Sequence, residues 1–201
     1  MRSRTVVVAT ALTALLACSD SSGPDSSKPP ADLNVVRLPG GSPPLFNAET
    51  TFYARRGEDR EARIFFQDDV GGAGEEYLRL RVDAPSLRTR PDGTPFAEGD
   101  SILITIRVVD PAQMLFELEP SGLTFSPDVP AELKIHYDQT GGDLDDDGDV
   151  DGDDDAIEST MAIWRQESPG DPFVRVGTAV VEDLEEAEAE LQGFSRYALA
   201  Y

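Results

Sequence analysis

An aspartate-rich stretch has the residue types and spacing best suited to chemistry. Residues 143–155 contain nine aspartates in thirteen positions, and the carboxylates alternate with other residues before a glycine. A loop that wraps a hard cation needs oxygen ligands at positions 1, 3 and 5 and a turn-forming residue at position 6. Position 7 supplies a backbone carbonyl, position 9 a carboxylate that often acts through water, and position 12 a last carboxylate. The spacing therefore predicts a structural calcium site with six ligand residues: Asp143, Asp145, Asp147, Asp149, Asp151 and Asp154.

The same stretch fits the calcium-loop formula in two overlapping registers. In the first register, which starts at Asp143, Val150 is the apolar residue that packs inward at position 8. In the second register, which starts at Asp147, the last ligand is Glu158, but Asp154 falls at the apolar position. We therefore prefer the first register. The alternative is a solvated acidic loop that only keeps the protein soluble, because blocks of like charge usually serve that purpose.

The order of residues in this loop has a parallel in known calcium-binding repeats. The pattern D-x-D-x-D-G-x-V-D-x-x-D, followed by Asp155-Ala-Ile157, resembles a dockerin calcium loop and, more loosely, a thrombospondin type 3 repeat. Dockerins carry two such loops with helices, whereas this chain has one. The resemblance therefore implies an EF-hand-like calcium loop but not the cohesin binding that dockerins perform.

Length and composition limit the classes of function. The 201 residues, of which 39% are hydrophobic, suffice for one domain with a real core. The fifteen prolines and seventeen glycines indicate many turns between short elements. The net charge of −22 makes nucleic acid a poor partner, and we expect none, because neutralising phosphates needs clustered lysine and arginine.

The N-terminal residues have the pattern of an export signal followed by a lipid attachment site. Arg2 and Arg4 precede an apolar segment of about thirteen residues, which is too short to span a bilayer as a permanent helix. The run from Leu15 to Cys18, Leu-Leu-Ala-Cys, resembles the lipobox of bacterial lipoproteins. In that family the signal peptide, here residues 1–17, is removed and the cysteine is lipid-modified. The resemblance therefore implies that acyl chains on Cys18 anchor the protein to a membrane.

Residues 18–31 contain almost no side chain suited to burial, so we expect a flexible linker between the lipid and the domain. Ser19 follows the cysteine, which in many Gram-negative bacteria permits export to the outer membrane. The expected location is the cell envelope, facing the periplasm or the cell surface. The expected partners are the membrane, through the lipid, and an envelope or surface protein or glycan.

Residues 32–201 are dominated by short segments in which apolar and polar residues alternate, as in half-buried strands. The clearest lie in residues 77–82, 102–109 and 114–119. Residues 157–166 and 172–178 are predicted to form a hairpin. Residues 182–191 favour a helix by propensity but a strand by alternation, and we predict a strand. These patterns predict an all-β, antiparallel β-sandwich, with the calcium loop inserted at about residues 139–157.

Several features of residues 101–201 recur together in one known family. They are the segment Phe116-x-Leu-x-Pro-Ser-Gly-Leu-Thr-Phe125, a strand ending in Tyr137, a strand containing Trp164 and the closing residues Phe194-Ser195-x-Tyr197. This combination resembles a ZU5-type β-sandwich. Some ZU5-type proteins cleave themselves between Phe and Ser of a His-Phe-Ser motif. Gly193 stands in place of that histidine, so we do not expect autoproteolysis.

Other catalytic arrangements lack the residues they need. His136 is the only histidine, and its alternation with Lys134 places it on the polar face of a strand. Because Cys18 is assigned to lipidation, neither a cysteine nucleophile nor a Cys/His zinc site can be assembled. We therefore expect a non-catalytic binding or structural module of the cell envelope, stabilised by calcium. The alternatives are a calcium-dependent adhesion or protein-interaction module and a carbohydrate-active hydrolase, for which the abundant carboxylates make any chosen pair uninformative.

Overall fold

The structure is a computed structural model that describes residues 26–145 and 147–201. The signal peptide predicted for residues 1–17 and the lipidation site Cys18 lie outside the described residues. The described part of the chain forms fourteen β-strands, one α-helix and three short 3-10 turns. The 3-10 turns are Pro30–Asp32, Asp138–Thr140 and Glu182–Leu184.

Seven strands form the larger sheet, in which all neighbouring strands are antiparallel. The order across this sheet is β1 (Ser27–Lys28), β11 (Phe173–Arg175), β10 (Ala162–Gln166), β14 (Arg196–Ala200), β7 (Leu115–Glu119), β6 (Ser101–Val108) and β2 (Glu49–Arg55). The pairing of β10 with β11 confirms the predicted hairpin, although its first strand begins at Ala162 and not at residue 157.

Five strands form the second sheet, which is also antiparallel throughout. Its order is β12 (Thr178–Val181), β13 (Glu186–Leu191), β9 (Ala131–His136), β4 (Ala73–Val82) and β3 (Arg60–Gln67). A two-stranded ribbon joins β5 (Leu87–Thr89) to β8 (Thr124–Phe125). The strand predicted within residues 182–191 is confirmed from Glu186 onward, after the 3-10 turn.

The two large sheets pack face to face, and the main core lies between them. Alternation along the strands decides which side chains enter this core: Leu78 and Leu80 of β4 are fully buried, whereas Arg79 between them points outward. Tyr77 of β4 meets Phe116 of β7 edge to face across the sandwich, with the ring centroids 5.6 Å apart. The predicted antiparallel β-sandwich is confirmed.

A smaller apolar cluster covers part of the outer face of the seven-stranded sheet. It is built around Trp164 and includes Leu33, which follows the first 3-10 turn. Ser27 and Lys28, which the sequence assigns to the flexible linker, form strand β1 beside β11. The Lys28 ammonium lies 5.4 Å from the centroid of the Trp164 ring. The larger sheet therefore begins within residues 18–31, which the sequence assigns wholly to the linker. The N-terminal segment packs there because the apolar surface around Trp164 would otherwise be exposed to water.

Helix α1 (Gly152–Thr160) is the main departure from the sequence prediction, which starts a strand at residue 157. The Asp151 carboxylate accepts a hydrogen bond from the Asp153 N–H at 2.7 Å, and the Asp154 carboxylate accepts one from the Asp151 N–H at 2.9 Å. This reciprocal arrangement is a capping box, which satisfies N–H groups at the start of a helix. Ile157 packs against the core. Among the described residues, no helix is long and apolar enough to cross a membrane.

Candidate metal centre

The aspartate-rich loop connects the two sheets of the sandwich. It follows β9 of the five-stranded sheet and continues into α1, which leads to β10 of the seven-stranded sheet. Gly148, the residue predicted at the turn of the loop, has a φ of 100°. Glycine adopts this left-handed backbone conformation without steric cost, whereas residues with a Cβ atom are strained there. The glycine therefore allows the chain to reverse between the aspartates on either side.

Three of the predicted ligands lie together at this turn. Asp143, Asp145 and Asp147 each offer a carboxylate oxygen, and these oxygens lie within 4.8 Å of one another. The Asp143 carboxylate also accepts hydrogen bonds from the N–H groups of Asp147, at 3.2 Å, and of Gly148, at 3.1 Å. The Asp145 carboxylate accepts a further bond from the Asp147 N–H at 3.2 Å. The loop backbone thus holds the carboxylates toward one another, and the group can hold a metal ion.

The Asp145 carboxyl is surrounded by negative charge. Desolvation, followed by the negative charge of Asp147 and the charges of Asp154 and Asp143, raises the pKa of the Asp145 carboxyl. A divalent cation reverses this effect, because it replaces repulsion between neighbouring carboxylates by attraction to a shared positive charge. Carboxylate oxygens are also the ligands that calcium and magnesium prefer.

The other three predicted ligands have different surroundings. Asp149 is exposed, and its N–H donates to the Asp147 carboxylate at 3.1 Å. Asp151 is the N-cap of α1. Asp154 is 4% exposed, and its carboxylate accepts hydrogen bonds from the N–H groups of Leu144, at 2.7 Å, and Asp151, at 2.9 Å. These backbone N–H groups, that of Asp151 first, lower the pKa of Asp154. Asp154 therefore ties the first turn of α1 to the start of the loop.

The apolar contact of the loop differs from the sequence prediction. Val150, expected to pack inward, is 63% exposed, whereas Leu144 is only 5% exposed and belongs to the main core. The prediction for Val150 is wrong. Leu144 stands directly between the first two clustered aspartates, and its N–H is held by Asp154. Its burial attaches the carboxylate cluster to the sandwich.

The last ligand of each loop register already has hydrogen-bond partners in the fold, Asp154 at the helix cap and Glu158 at the end of β9. The register that starts at Asp147 needs Glu158 as its last ligand, but the Glu158 carboxylate accepts a hydrogen bond from the Tyr137 hydroxyl at 2.7 Å. Burial, and then the contact with Glu158, raises the pKa of Tyr137. Glu158 thus lies on the side of α1 that faces the end of β9. The cluster of Asp143, Asp145 and Asp147, which are positions 1, 3 and 5 of the first register, favours the register that starts at Asp143.

The residues weighed for catalysis lie in different segments of the sandwich. His136 on β9 lies between Glu76, at 3.3 Å, and Glu186, at 3.6 Å, on the neighbouring strands. Ser195, just before β14, accepts a hydrogen bond on Oγ from the Arg165 Nε at 2.8 Å. Phe194 is fully buried. Both polar side chains thus have partners that stabilise the fold.

Sequence reasoning missed two parts of the centre, namely helix α1 and the burial of Leu144. The spacing Asp151-x-x-Asp154 is a capping signal that predicts a helix start, but it lies hidden among other aspartates. The burial of Leu144 has no local signal, because a single leucine between acidic residues shows no periodicity.

Comparison of the chain with protein-family models, with curated proteins and with solved structures finds no match. The resemblances to dockerin loops and to ZU5-type domains rest on the residues quoted for them above.

Proposed function

We propose that the protein is an exported, lipid-anchored, non-catalytic binding or structural module of the cell envelope, in which one calcium ion stabilises the connection between the two sheets. The observation that carries this proposal is the cluster formed by Asp143, Asp145 and Asp147. Its residues stand at alternate positions before a glycine with a left-handed backbone, as a calcium loop requires.

Calcium is proposed over a transition metal because of the donor set. The clustered atoms are carboxylate oxygens, whereas zinc and copper sites draw on imidazole and thiolate ligands. Calcium takes six to eight oxygen ligands in a flexible geometry, so it can add further donors from the loop. In the preferred register these are the carbonyl of Asp149, the carboxylate of Asp151 acting through water, and Asp154.

A structural role for the ion follows from the place of the loop in the fold. The segment between β9 and α1 is rich in negative charge, and Leu144 is the apolar residue that its aspartate-rich part, residues 143–151, buries in the core. A connection that cannot form its own core is a natural place for a metal ion, since the binding free energy then adds to the free energy of folding. The ion would hold the loop and the start of α1 against the edge of the sandwich.

The envelope location rests on the lipobox-like run that ends in Cys18 and on the expected removal of residues 1–17. Lipid attached to Cys18 would place the domain at the outer membrane with the calcium loop in a calcium-rich compartment. A Cys18→Ser variant tests this part of the proposal: it should lose incorporation of labelled palmitate and leave the membrane fraction. Unchanged labelling would contradict lipidation at this position.

The non-catalytic role is supported by the partners of the reactive side chains. His136 pairs with two carboxylates, and Ser195 pairs with Arg165. The relation to ZU5-type domains remains part of this proposal, with Phe194 as a core residue of the closing segment and not as a cleavage site.

Thermal unfolding of the full-length protein in a non-ionic detergent, with calcium or with a chelator, tests the calcium site. A ligand at about 100 times its Kd adds about 2.7 kcal/mol, which raises the Tm of a domain this size by roughly 5–10 °C. The double variant Asp145→Ala, Asp147→Ala should lose this rise. The matched control Asp153→Ala, Asp155→Ala removes two exposed aspartates that are not predicted ligands and should keep it. Equal calcium responses in both variants would refute the assignment.

A further inference from the structure

Strand β2 forms one edge of the seven-stranded sheet, and the side of β2 that faces away from β6 is open. All seven of its residues pair with β6, and no register shift interrupts this ladder. The Val108 N–H donates to the Ala48 carbonyl at 2.8 Å, so alternation from this pair directs the main-chain groups of the even-numbered residues toward β6. The main-chain groups of Thr51 and Tyr53 therefore point outward. Within the part of the chain that the structure describes, no strand or bridge pairs with them on that side.

The other three edge strands of the two large sheets are short or protected. β1 has two residues and β12 has four. β3 is interrupted by register shifts on either side of Phe65, and the segment before β2 covers its end, where the Phe46 N–H donates to the Phe65 carbonyl at 2.9 Å. Proteins shorten, bend, cover or charge their edge strands in this way to prevent pairing with other chains. The centre of β2, residues 51–53, is regular and uncharged, so it lacks these devices.

Apolar side chains are exposed beside this open edge. Tyr53 is 65% exposed on the outer face of the sheet, and Leu103, directly opposite it on β6, is 46% exposed. Phe52 points to the inner side and packs against the core, but it is only partly buried. Removing such surface from water is favourable, so a strand placed against β2 would be stabilised by apolar contacts on both faces of the sheet.

The sequence of β2 is complementary to a second copy of itself in one antiparallel register. When Phe52 lies on a two-fold axis, Thr51 of one copy stands opposite Tyr53 of the other. Glu49 then stands opposite Arg55, so that each end of the paired strands brings opposite charges together. These facing residues are all odd-numbered, and they are therefore the ones whose main-chain groups β2 directs outward. Charge and hydrogen-bonding phase select the same register.

The charges at the ends of β2 have partners within the chain but remain accessible. The Glu49 carboxylate lies 2.8 Å from the Arg107 guanidinium, and its side chain is 50% exposed. The Arg55 guanidinium lies 2.8 Å from the Glu58 carboxylate, and its side chain is 51% exposed. Pairing of two copies would join these weak pairs into a row of alternating charge at each end. The net charge of −22 opposes association, but at physiological salt exposed charges farther apart than about 8 Å are largely screened.

We propose that two copies of this chain associate through their β2 strands, which pair antiparallel with Phe52 on the two-fold axis. The two seven-stranded sheets then form one continuous sheet across the dimer. Main-chain hydrogen bonds of Thr51 and Tyr53 hold the strands together, and the contacts between Glu49 and Arg55 fix the register. This interface goes beyond the function proposed above, and it requires neither the calcium ion nor the lipid anchor.

Disulfide formation tests the position of the two-fold axis. The full-length chain carries Cys18→Ser in every experiment, which removes the single native thiol and the lipid. Directly opposite residues of a non-hydrogen-bonded antiparallel pair have Cα atoms about 4.5 Å apart, within the range that a disulfide spans. Phe52→Cys should therefore form a disulfide-linked dimer under mild oxidation.

Tyr53→Cys is the matched control for this experiment. The two copies of position 53 are diagonal neighbours about 7–8 Å apart, which is too far for an unstrained disulfide. Tyr53 is nevertheless more exposed than Phe52, so chance collisions would link Tyr53→Cys faster. Faster linkage of Tyr53→Cys, or equal rates for the two variants, would overturn the proposal. Unfolding curves establish that each variant is folded.

Charge reversal tests the register and leaves Phe52 unchanged. Two copies of Glu49→Arg, or two copies of Arg55→Glu, bring like charges together at both ends of the paired strands. Each variant should dimerise about tenfold more weakly than the parent chain, as measured by sedimentation velocity at physiological salt. An equimolar mixture of the two variants should recover the parent affinity, because both contacts of the heterodimer are attractive. A mixture that associates no better than its components would overturn the register.

Proline at the open edge tests the main-chain contacts. Thr51→Pro removes an N–H that points away from β6, so the substitution is compatible with an edge strand, but each copy loses a hydrogen bond across the interface. The control Thr51→Ala keeps this N–H. At about 0.1 mM chain, Thr51→Pro should sediment as a monomer and Thr51→Ala as a dimer. Equal association of the two variants would refute pairing through the β2 backbone. Each measurement is made with calcium and with chelator, so a parent chain that responds normally to calcium but stays monomeric refutes the interface alone.

Discussion

Replacing Leu144 by alanine is predicted to separate the aspartate-rich loop from the sandwich. Leu144 is 5% exposed and belongs to the main core, although it is flanked by aspartates. A buried leucine truncated to alanine loses its transfer free energy and leaves a cavity, which together cost about 3 kcal/mol. For a domain this size, the corresponding fall in Tm is roughly 6–12 °C.

The same loop supplies the control for this prediction. Val150 is also an aliphatic residue among aspartates, but it is 63% exposed. Val150→Ala should therefore change the free energy of unfolding by no more than about 0.5 kcal/mol. Both variants are compared with the wild type by denaturant unfolding in chelator, so that metal binding does not contribute.

Calcium provides an independent readout for the same pair of variants. Neither substitution removes a carboxylate, so each variant should still gain stability when calcium is added. If Leu144→Ala costs less than 1 kcal/mol, or if Val150→Ala costs as much, the loop is not attached to the core through Leu144. Either result would refute the packing described for the loop.

Three further predictions concern other parts of the fold. Asp151→Ala removes the N-cap of α1 and should lower the free energy of unfolding by about 1 kcal/mol in chelator. Hydrogen exchange should become faster in the helix only. Equally faster exchange across the whole protein would contradict a local cap. The backbone N–H of Ala97, and then the guanidinium of Arg90, lower the pKa of Asp100 below its ordinary value of 3.8. The ionised Asp100 carboxylate therefore contributes to the free energy of unfolding fully above that value, and the contribution is lost as the pH falls through the lower folded-state pKa. Asp100→Asn should lose less stability than the wild type below about pH 4. The same loss of stability in both proteins at low pH would contradict this role of Asp100. Leu33→Ala, in the outer apolar cluster, should lower the free energy of unfolding by about 2–3 kcal/mol. It should also shift the fluorescence emission of the single tryptophan to the red, because Trp164 becomes more exposed to water. Unchanged emission would show that the N-terminal segment does not cover this cluster.

Strand positions and faces were predictable because alternation is a local property. Along β6, the apolar side chains at alternate positions, Ile104 and Ile106 among them, are buried, as the period-2 pattern indicates. The strand in residues 186–191 was also predictable, since Ala187 and Ala189 enter the core while Glu188 between them does not.

The parts that sequence reasoning missed depend on contacts between distant residues or on capping. Helix α1 is specified by the reciprocal hydrogen bonds of Asp151 and Asp154, and its sequence shows no apolar stripe. The order of strands in the two sheets depends on pairings between residues far apart in the chain, which no local pattern reports. The spacing of the aspartates predicted six ligands, and the fold brings three of them together. The roles of Asp151 and Asp154 at the helix cap required the structure.

Isothermal titration calorimetry, with calcium added to the full-length protein after a chelating resin has removed divalent cations, tests the calcium site directly. One calcium ion should bind per chain, with the binding lost in the Asp145→Ala, Asp147→Ala variant and retained in the Asp153→Ala, Asp155→Ala variant. No binding at millimolar calcium, or equal binding by both variants, would contradict a calcium site built on Asp143, Asp145 and Asp147.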